Sequence, residues 1–227
     1  MTEVSGVATT LQGSAESVYH EPTSKRIRAV LDGRLLLDTI GARLVWEHRF
    51  YPQYYIPLDD IADDALISGE TRDGTDRLGP ATYYTVGSGP LPLIDGAWRY
   101  GQAPDEALRG LVRFDWASAE SWFEEDEEVF VHPRSPYVRV DVLDSSREVR
   151  VEIDGVEVAR SVRPRLLFET GLPVRYYLPK TDVRLDLLTS TDLATSCPYK
   201  GTARYWTATV NGRDHPDIVW GYDAPFA

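Results

Sequence analysis

The segment Cys197-Pro198-Tyr199-Lys200-Gly201 brings a thiol, a phenol and an ammonium group together within five residues. The chain has only three lysines among its 24 basic residues, so a lysine here is unusual. A neighbouring ammonium favours the thiolate form of a cysteine, which would make Cys197 a nucleophile or a redox-sensitive group. Lys200 could equally hold a ligand carboxylate or phosphate as a point charge. The structural alternative is a turn set by proline and glycine, with Cys197 as a small buried apolar group.

Glu169 and Tyr177 are the next candidates. Glu169 ends an apolar run, where a carboxylate could act as a general base or could accept hydrogen bonds that fix the fold. Tyr177 belongs to the pair Tyr176-Tyr177, and successive strand residues face opposite sides. One tyrosine should therefore point inward, where its ring and hydroxyl would suit a planar ligand.

Trp206 and the neighbouring aromatic residues are typical of strand pairs in a core, but some of them could line a cleft. We therefore predict that Tyr177, Tyr199, Lys200 and Trp206 bind a small polar or planar ligand. Glu169 and Cys197 are the candidate catalytic residues, if the protein is an enzyme.

Acidic residues are unevenly distributed, and residues 124–128 read Glu-Glu-Asp-Glu-Glu. A magnesium site needs carboxylates that converge from a rigid frame, whereas consecutive acids on a strand or loop diverge. This run is therefore interpreted as a solvated connector. One cysteine and four scattered histidines give no metal-ligand spacing, so neither a metal nor a cofactor is predicted.

The composition describes a globular acidic protein of 227 residues, with 42% hydrophobic residues and a formal charge of −12. A nucleic-acid partner is not expected, because duplex binding needs a dense cationic face. No apolar run is long enough for a membrane span, and the first 25 residues have no apolar signal-peptide core. A cytoplasmic location is the resulting expectation, and any protein partner is left open.

The chain repeats itself with a constant offset of 122 residues, the difference between Asp154 and Asp32. The offset relates Glu47 to Glu169 and holds without a gap for about 80 residues. The matched segments include Tyr54-Tyr55 with Tyr176-Tyr177, Tyr83 with Tyr205, and Trp98 with Trp220. We interpret this pattern as a tandem duplication.

Each repeat is predicted to be a small, mostly antiparallel β-sheet structure. Asp32-Gly33 and Asp154-Gly155 each follow an alternating strand and favour a type I′ hairpin turn. Between the repeats, residues 104–110 are typical of a short helix, and residues 112–116 alternate like a strand. The predicted organisation is an N-terminal arm (1–25), a first repeat with the helix and extra strand (26–123), an acidic connector (124–136) and a second repeat (137–227).

Five segments give the chain a resemblance to a known family: residues 124–134, 168–173, 176–179, 197–201 with Tyr205-Trp206, and 219–222. It resembles a tandem member of the domain-of-unknown-function family 427, which also carries a nucleotidyltransferase-like label. The resemblance implies two mainly-β, β-tent-like domains without zinc cysteines, and it implies no established activity. In the first repeat, Thr75-Asp76-Arg77-Leu78-Gly79 stands opposite residues 197–201 and lacks both thiol and lysine. The second repeat is therefore the expected functional one.

Three functions follow as hypotheses. The preferred one is small-ligand binding in the second repeat. The second is a non-catalytic interaction or structural module, in which the aromatic residues are core. The third is an enzyme that uses Glu169 and Cys197 in acid–base or thiol chemistry, with nucleotidyl transfer supported by the family label alone.

Overall fold

The computed structural model describes residues 18–47, 50–74, 77–87, 89 and 91–225. The fold is mainly β, as predicted, and the chain divides into two compact units, residues 1–135 and 136–227. We call them unit 1 and unit 2. The predicted connecting helix is not seen: only a three-residue 3-10 helix, Glu106–Leu108, lies there, capped by the Asp105 side chain, which accepts a hydrogen bond from the Ala107 N–H. Of the predicted N-terminal arm, residues 1–17 lie outside the described residues.

Unit 1 contains a seven-stranded and a four-stranded sheet, with strand orders β1-β4-β5-β9-β8-β7-β6 and β11-β10-β2-β3. The strands are β1 (Tyr19–Pro22), β2 (Ile27–Leu31), β3 (Arg34–Thr39), β4 (Arg43–Trp46), β5 (Gln53–Pro57), β6 (Leu66–Arg72), β7 (Ala81–Val86), β8 (Leu93–Arg99), β9 (Leu111–Phe114), β10 (Ser121–Glu124) and β11 (Glu127–Val129). Neighbouring β5 residues alternate between two buried clusters. Tyr54 joins the cluster around Trp46 and Trp122, whereas Tyr55 joins the cluster around Tyr100 and Leu108. The seven-stranded sheet thus has a core on each face.

Unit 2 contains three smaller sheets, with strand orders β12-β15-β16, β13-β14 and β17-β18-β19. The strands are β12 (Val140–Asp144), β13 (Val149–Ile153), β14 (Val156–Ser161), β15 (Arg165–Glu169), β16 (Arg175–Tyr177), β17 (Leu188–Cys197), β18 (Gly201–Val210) and β19 (Arg213–Tyr222). All pairings are antiparallel. This architecture matches the small antiparallel units predicted from the alternating sequence.

The 122-residue offset relates contacts as well as residue types. The isolated bridge between Leu37 and Ile61 recurs between Ala159 and Val183. The 3-10 helix Leu58–Asp60 recurs at Lys180–Asp182. In both units the aspartate that ends this helix accepts a hydrogen bond from a hydroxyl: Thr39 donates to Asp60, and Ser161 donates to Asp182.

The predicted hairpin turns form at Asp32-Gly33 and Asp154-Gly155. All four residues have positive φ, between +48° and +78°. A type I′ turn requires this geometry, and the Asp-Gly sequence tolerates it. Strands β13 and β14 therefore meet at Ile153 and Val156, directly across the turn.

Strands β9, β10 and β11 occur only in unit 1 among the described residues. The acidic segment expected as a solvated connector contributes to β10 and β11, which join the sheet of β2 and β3. Glu124 is buried, accepting hydrogen bonds from the Tyr54 hydroxyl at 2.8 Å and from Lys25 Nζ at 2.6 Å. A cation and a buried hydroxyl thus stabilise a carboxylate that the sequence pattern assigns to solvent.

Asp182 makes the stability of unit 2 sensitive to acid. Arg163 and Ser161 donate hydrogen bonds to its carboxylate and lower its pKa to about 2, from 3.8. A lowered folded-state pKa stabilises the native state above the unfolded pKa, and this contribution is lost as the pH falls from about 4 through about 2.

We therefore expect Asp182→Asn to flatten the decline of unit 2 stability across this pH window. Urea unfolding of the full chain at a series of pH values, followed by hydrogen exchange in residues 136–225, measures the effect. Asp192→Asn, at an exposed position on β17 in the same unit, is the matched control. Equal pH slopes for Asp182→Asn and the wild-type chain would contradict the prediction.

Candidate functional site

An ion pair between Lys200 and Glu169 lies at the centre of the candidate site. Cys197 ends β17 and Gly201 begins β18 with φ +94°, so residues 198–200 form the connecting turn. The Lys200 side chain leaves this turn and donates from Nζ to Glu169 Oε2 at 2.6 Å. The side chains are 18% and 10% exposed, respectively, so the pair is largely shielded from water. Such shielding strengthens the attraction between the two charges.

The register of the three-stranded sheet β17-β18-β19 determines which side chains lie on the same face near the Lys200–Glu169 ion pair. Cys197 pairs with Gly201, and Ala203 pairs with Tyr222. Tyr205 pairs with Trp220 two residues further along. Directly paired residues and those two positions apart share a face of the sheet. Cys197, Tyr205, Tyr222 and Trp220 therefore occupy one face.

Tyr177 of β16 lies against this face. Its ring centroid is 6.0 Å from that of Tyr222, with the rings edge to face, and its hydroxyl accepts a hydrogen bond from Trp220 Nε1 at 3.4 Å. Burial raises the pKa of Tyr222, and the proximity of Tyr177, Cys197, Tyr205 and Glu169 raises it further. The Tyr222 phenol therefore stays protonated and can donate a hydrogen bond at neutral pH.

Trp206 lies on the opposite face of the sheet. It pairs with Val219, and its ring is near the position that a Gly221 side chain would occupy. Its ring contacts a different lysine, Lys180, whose Nζ is 5.9 Å from the ring centroid. The structure therefore divides the predicted ligand-binding residues. Tyr177 and Lys200 lie on the same side of the sheet as Glu169 and Cys197, whereas Trp206 lies on the other side. Tyr199 is half-buried within the turn.

Tyr205 and Tyr222, which share this face with Cys197, are missing from the ligand residues predicted from sequence. The repeat offers a signal for both, because Tyr205 matches Tyr83 and Tyr222 matches Tyr100. Among the described residues no hydrogen bond joins Cys197 to the side chain of Glu169 or Lys200. The Cys197 thiol therefore lies on the same face of the sheet as Tyr205 and Tyr222, but it is not hydrogen-bonded to Glu169 or Lys200.

We call Glu169, Tyr177, Lys200, Tyr205 and Tyr222 the polar cluster. Unit 1 contains its equivalent with a different cation. The Glu47 carboxylate accepts a hydrogen bond from the Tyr55 hydroxyl at 2.9 Å and lies 3.2 Å from Arg113 Nε. Burial raises the pKa of Tyr55, and Glu47 adds to the effect. Leu78, which matches Lys200, is buried.

The cation therefore comes from different elements in the two units. Unit 1 uses Arg113 on β9, and unit 2 uses Lys200 in the turn after β17. Thr75 and Asp76, opposite Cys197 and Pro198 in the repeat, lie outside the described residues.

The two clusters also differ in how they are covered. In unit 1, Ala103, Leu108 and Leu111 pack into the core that contains Tyr55 and Tyr100. All three come from the segment after β8; the match of Ala103 in unit 2 is the exposed Pro225, and Leu108 and Leu111 have no match among the described residues. Tyr177 and Tyr222 are accordingly half-buried, whereas their partners in unit 1 are fully buried.

A cavity of about 420 Å³ in unit 1 is separate from the Glu47 cluster. Its lining includes Asp32, Arg34 and Asp64 beside the β2–β3 hairpin, and it does not include Glu47 or Tyr55. Among the described residues, no group of three or more histidine, cysteine, aspartate or glutamate side chains could hold a metal ion. No helix in the described part of the chain is long and apolar enough to cross a membrane.

These features define a class of protein: a tandem pair of antiparallel β units, each of which contains a largely shielded carboxylate–cation pair beside tyrosines. The family model described as a domain of unknown function (DUF427), named NTP_transf_9, matches residues 19–125 and 141–227. The chain therefore belongs to this family and carries its domain twice. Comparison with curated proteins finds no match.

Proposed function

We propose that unit 2 binds a small polar or planar molecule at its polar cluster. The observation that carries this proposal is the difference between the two units. Unit 1 buries Tyr55 and Tyr100 with Leu108 and Leu111 in one core, whereas the matching Tyr177 and Tyr222 of unit 2 are only half-buried and lie near the Lys200 ammonium. A partly shielded site with a few convergent polar groups among aromatic rings is typical of small-molecule binding.

The chemistry of the cluster indicates the kind of ligand. Lys200 has three N–H donors, and among the described residues one of them is used by Glu169 Oε2. The other two donors and the Tyr222 phenol can bind a carboxylate, carbonyl or hydroxyl oxygen. Glu169 Oε1 can accept a hydrogen bond from the same molecule. The rings of Tyr177 and Trp220 offer faces for a planar group.

A thermal-shift screen of the full chain against nucleotides, sugars, organic acids and metal ions tests this proposal. A ligand present at 100 times its Kd stabilises the native state by about 2.7 kcal/mol. The variant that should lose the shift is Glu169→Gln combined with Lys200→Met, which removes both charges at similar volume. Changing both partners avoids leaving one shielded charge unpaired.

Lys180→Met is the matched control, because Lys180 is the other lysine of unit 2 and its ion pair with Asp223 is exposed. It should keep the full ligand-induced shift. A screen without any shift, or a shift that survives loss of both Glu169 and Lys200 charges, would contradict the proposal.

A further inference from the structure

Strand β9 joins two groups of strands into one sheet in unit 1. It pairs with β5 on one side and with β8 on the other, which joins the strands into one seven-stranded sheet. The matching strands of unit 2 are β16 and β19, each of which pairs on one side only in the part of the chain that the structure describes. They end two separate sheets, yet Tyr177 of β16 contacts Trp220 and Tyr222 of β19. We call this pair of unpaired strand edges the β16–β19 slot.

Two aromatic residues on the apolar face beside this slot are exposed to solvent. In unit 1, Tyr54 is 4% exposed, because Trp116 and Trp122 lie against its ring and Glu124 accepts a hydrogen bond from its hydroxyl. The matching residue of unit 2, Tyr176, is 48% exposed.

The same contrast recurs one strand away, on β4 and β15. Trp46 is 1% exposed, whereas its match Phe168 is 38% exposed. Unpaired strand edges beside exposed aromatic rings form a template for another strand.

We propose that the β16–β19 slot of unit 2 binds an extended peptide segment of a partner protein as an added β-strand. The template is β9 itself, which lies between the matching strands β5 and β8 of unit 1. Main-chain hydrogen bonds to both edges would supply affinity, and alternate side chains would supply specificity. In unit 1, Val112 and Phe114 belong to the same buried cluster as Tyr54, so the bound segment carries apolar residues at these two positions, on the Tyr176 face.

The position between these two apolar residues determines the charge preference. In unit 1 it is Arg113, which pairs with Tyr55 and Trp98 and neutralises Glu47. In unit 2 the same position would face Tyr177 and Trp220, and Glu169 is already neutralised by Lys200. A second cation there would be repelled by the ammonium, so an uncharged residue is preferred.

Two acetylated and amidated peptides, titrated calorimetrically into the full chain, test the proposal. One has the sequence of residues 109–117, and the other carries R113Q. The wild-type chain should bind the R113Q peptide about fivefold more tightly, the effect of one unfavourable cross-strand charge contact. Lys200→Leu, which reproduces the Leu78 arrangement of unit 1, should reverse this preference in favour of the arginine peptide.

Tyr176→Asp should weaken binding of both peptides at least tenfold and leave any small-molecule shift at the polar cluster intact, since Tyr176 lies on the other face of β16. Leu193→Asp, at an exposed position on β17, is the matched control and should bind like wild type. Peptide binding should also slow amide exchange in β16 and β19. Absence of saturable binding, binding unaffected by Tyr176→Asp, or equal affinity of wild type for both peptides would overturn the proposal.

Discussion

Replacing Trp122 with alanine is expected to lower the free energy of unfolding of unit 1 by about 3–5 kcal/mol. Trp122 is buried on β10 and contacts three aromatic rings: its ring centroid is 5.2 Å from that of Trp116, 5.8 Å from Tyr54 and 6.1 Å from Phe114. Its indole N–H also donates to the Trp116 carbonyl at 3.0 Å. Truncation would create a large cavity and remove all of these contacts.

Hydrogen exchange of the full chain in increasing urea measures this effect separately for residues 18–135 and 136–225. Trp220→Ala is the control, because Trp220 is exposed on β19 and should cost about 1 kcal/mol or less. The loss from Trp122→Ala should be confined to unit 1. A loss as small as that of the control would mean that β10 only lies on unit 1 and does not complete its core.

Local sequence signals predicted much of this fold. The Asp-Gly pairs fixed the position of both hairpin turns, because few residues tolerate the positive φ that these turns need. The repeat offset predicted that contacts seen once would recur, and the Thr39–Asp60 and Ser161–Asp182 hydrogen bonds do so. These signals depend on neighbouring residues or on self-comparison, and both can be read from one sequence.

Contacts between distant segments were not predictable in the same way. Glu124 is interpreted as solvated when its acidic neighbours are considered alone, yet its partners Tyr54 and Lys25 are 70 and 99 residues away in the chain. The helix predicted between the repeats is reduced to a single 3-10 turn. Here an N-cap at Asp105 and a nearby Gly110 leave too few residues for α-helical turns to propagate.

In the candidate site, the structure brings two of the residues predicted from sequence together and separates a third from them. The sequence predicts roles for both Lys200 and Glu169, and the structure joins them in one ion pair. It also predicts that Trp206 binds the same ligand as Lys200, but the strand register places Trp206 on the other face of the sheet. A shift of one residue reverses every side chain of a strand, so the facing of Trp206 depended on a register that the sequence did not specify.

The cation beside the matching carboxylate differs between the units: it is Arg113 in unit 1 and Lys200 in unit 2. This difference leads to the second large predicted effect on stability. Arg113→Leu should destabilise unit 1 by about 2–4 kcal/mol, because it leaves the largely shielded Glu47 carboxylate without its cation. Leu78 occupies the position that matches Lys200, so adding Leu78→Lys to Arg113→Leu should place an ammonium near Glu47, as in unit 2. Urea unfolding of both single variants and the double variant forms a double-mutant cycle.

We expect the double variant to regain at least half of the stability lost in Arg113→Leu, whereas Leu78→Lys alone should destabilise the unit by placing a second cation in a buried position. The matched control is Leu108→Lys, at another buried position of the same core, which should worsen Arg113→Leu instead of rescuing it. Rescue would show that the carboxylate can take its cation from either element, so that Lys200 allows unit 2 to hold Glu169 without β9. If the effects of Leu78→Lys and Arg113→Leu on the free energy of unfolding simply add, the two cations are not interchangeable. The presence of Lys200 in unit 2 would then have to be explained by ligand binding alone.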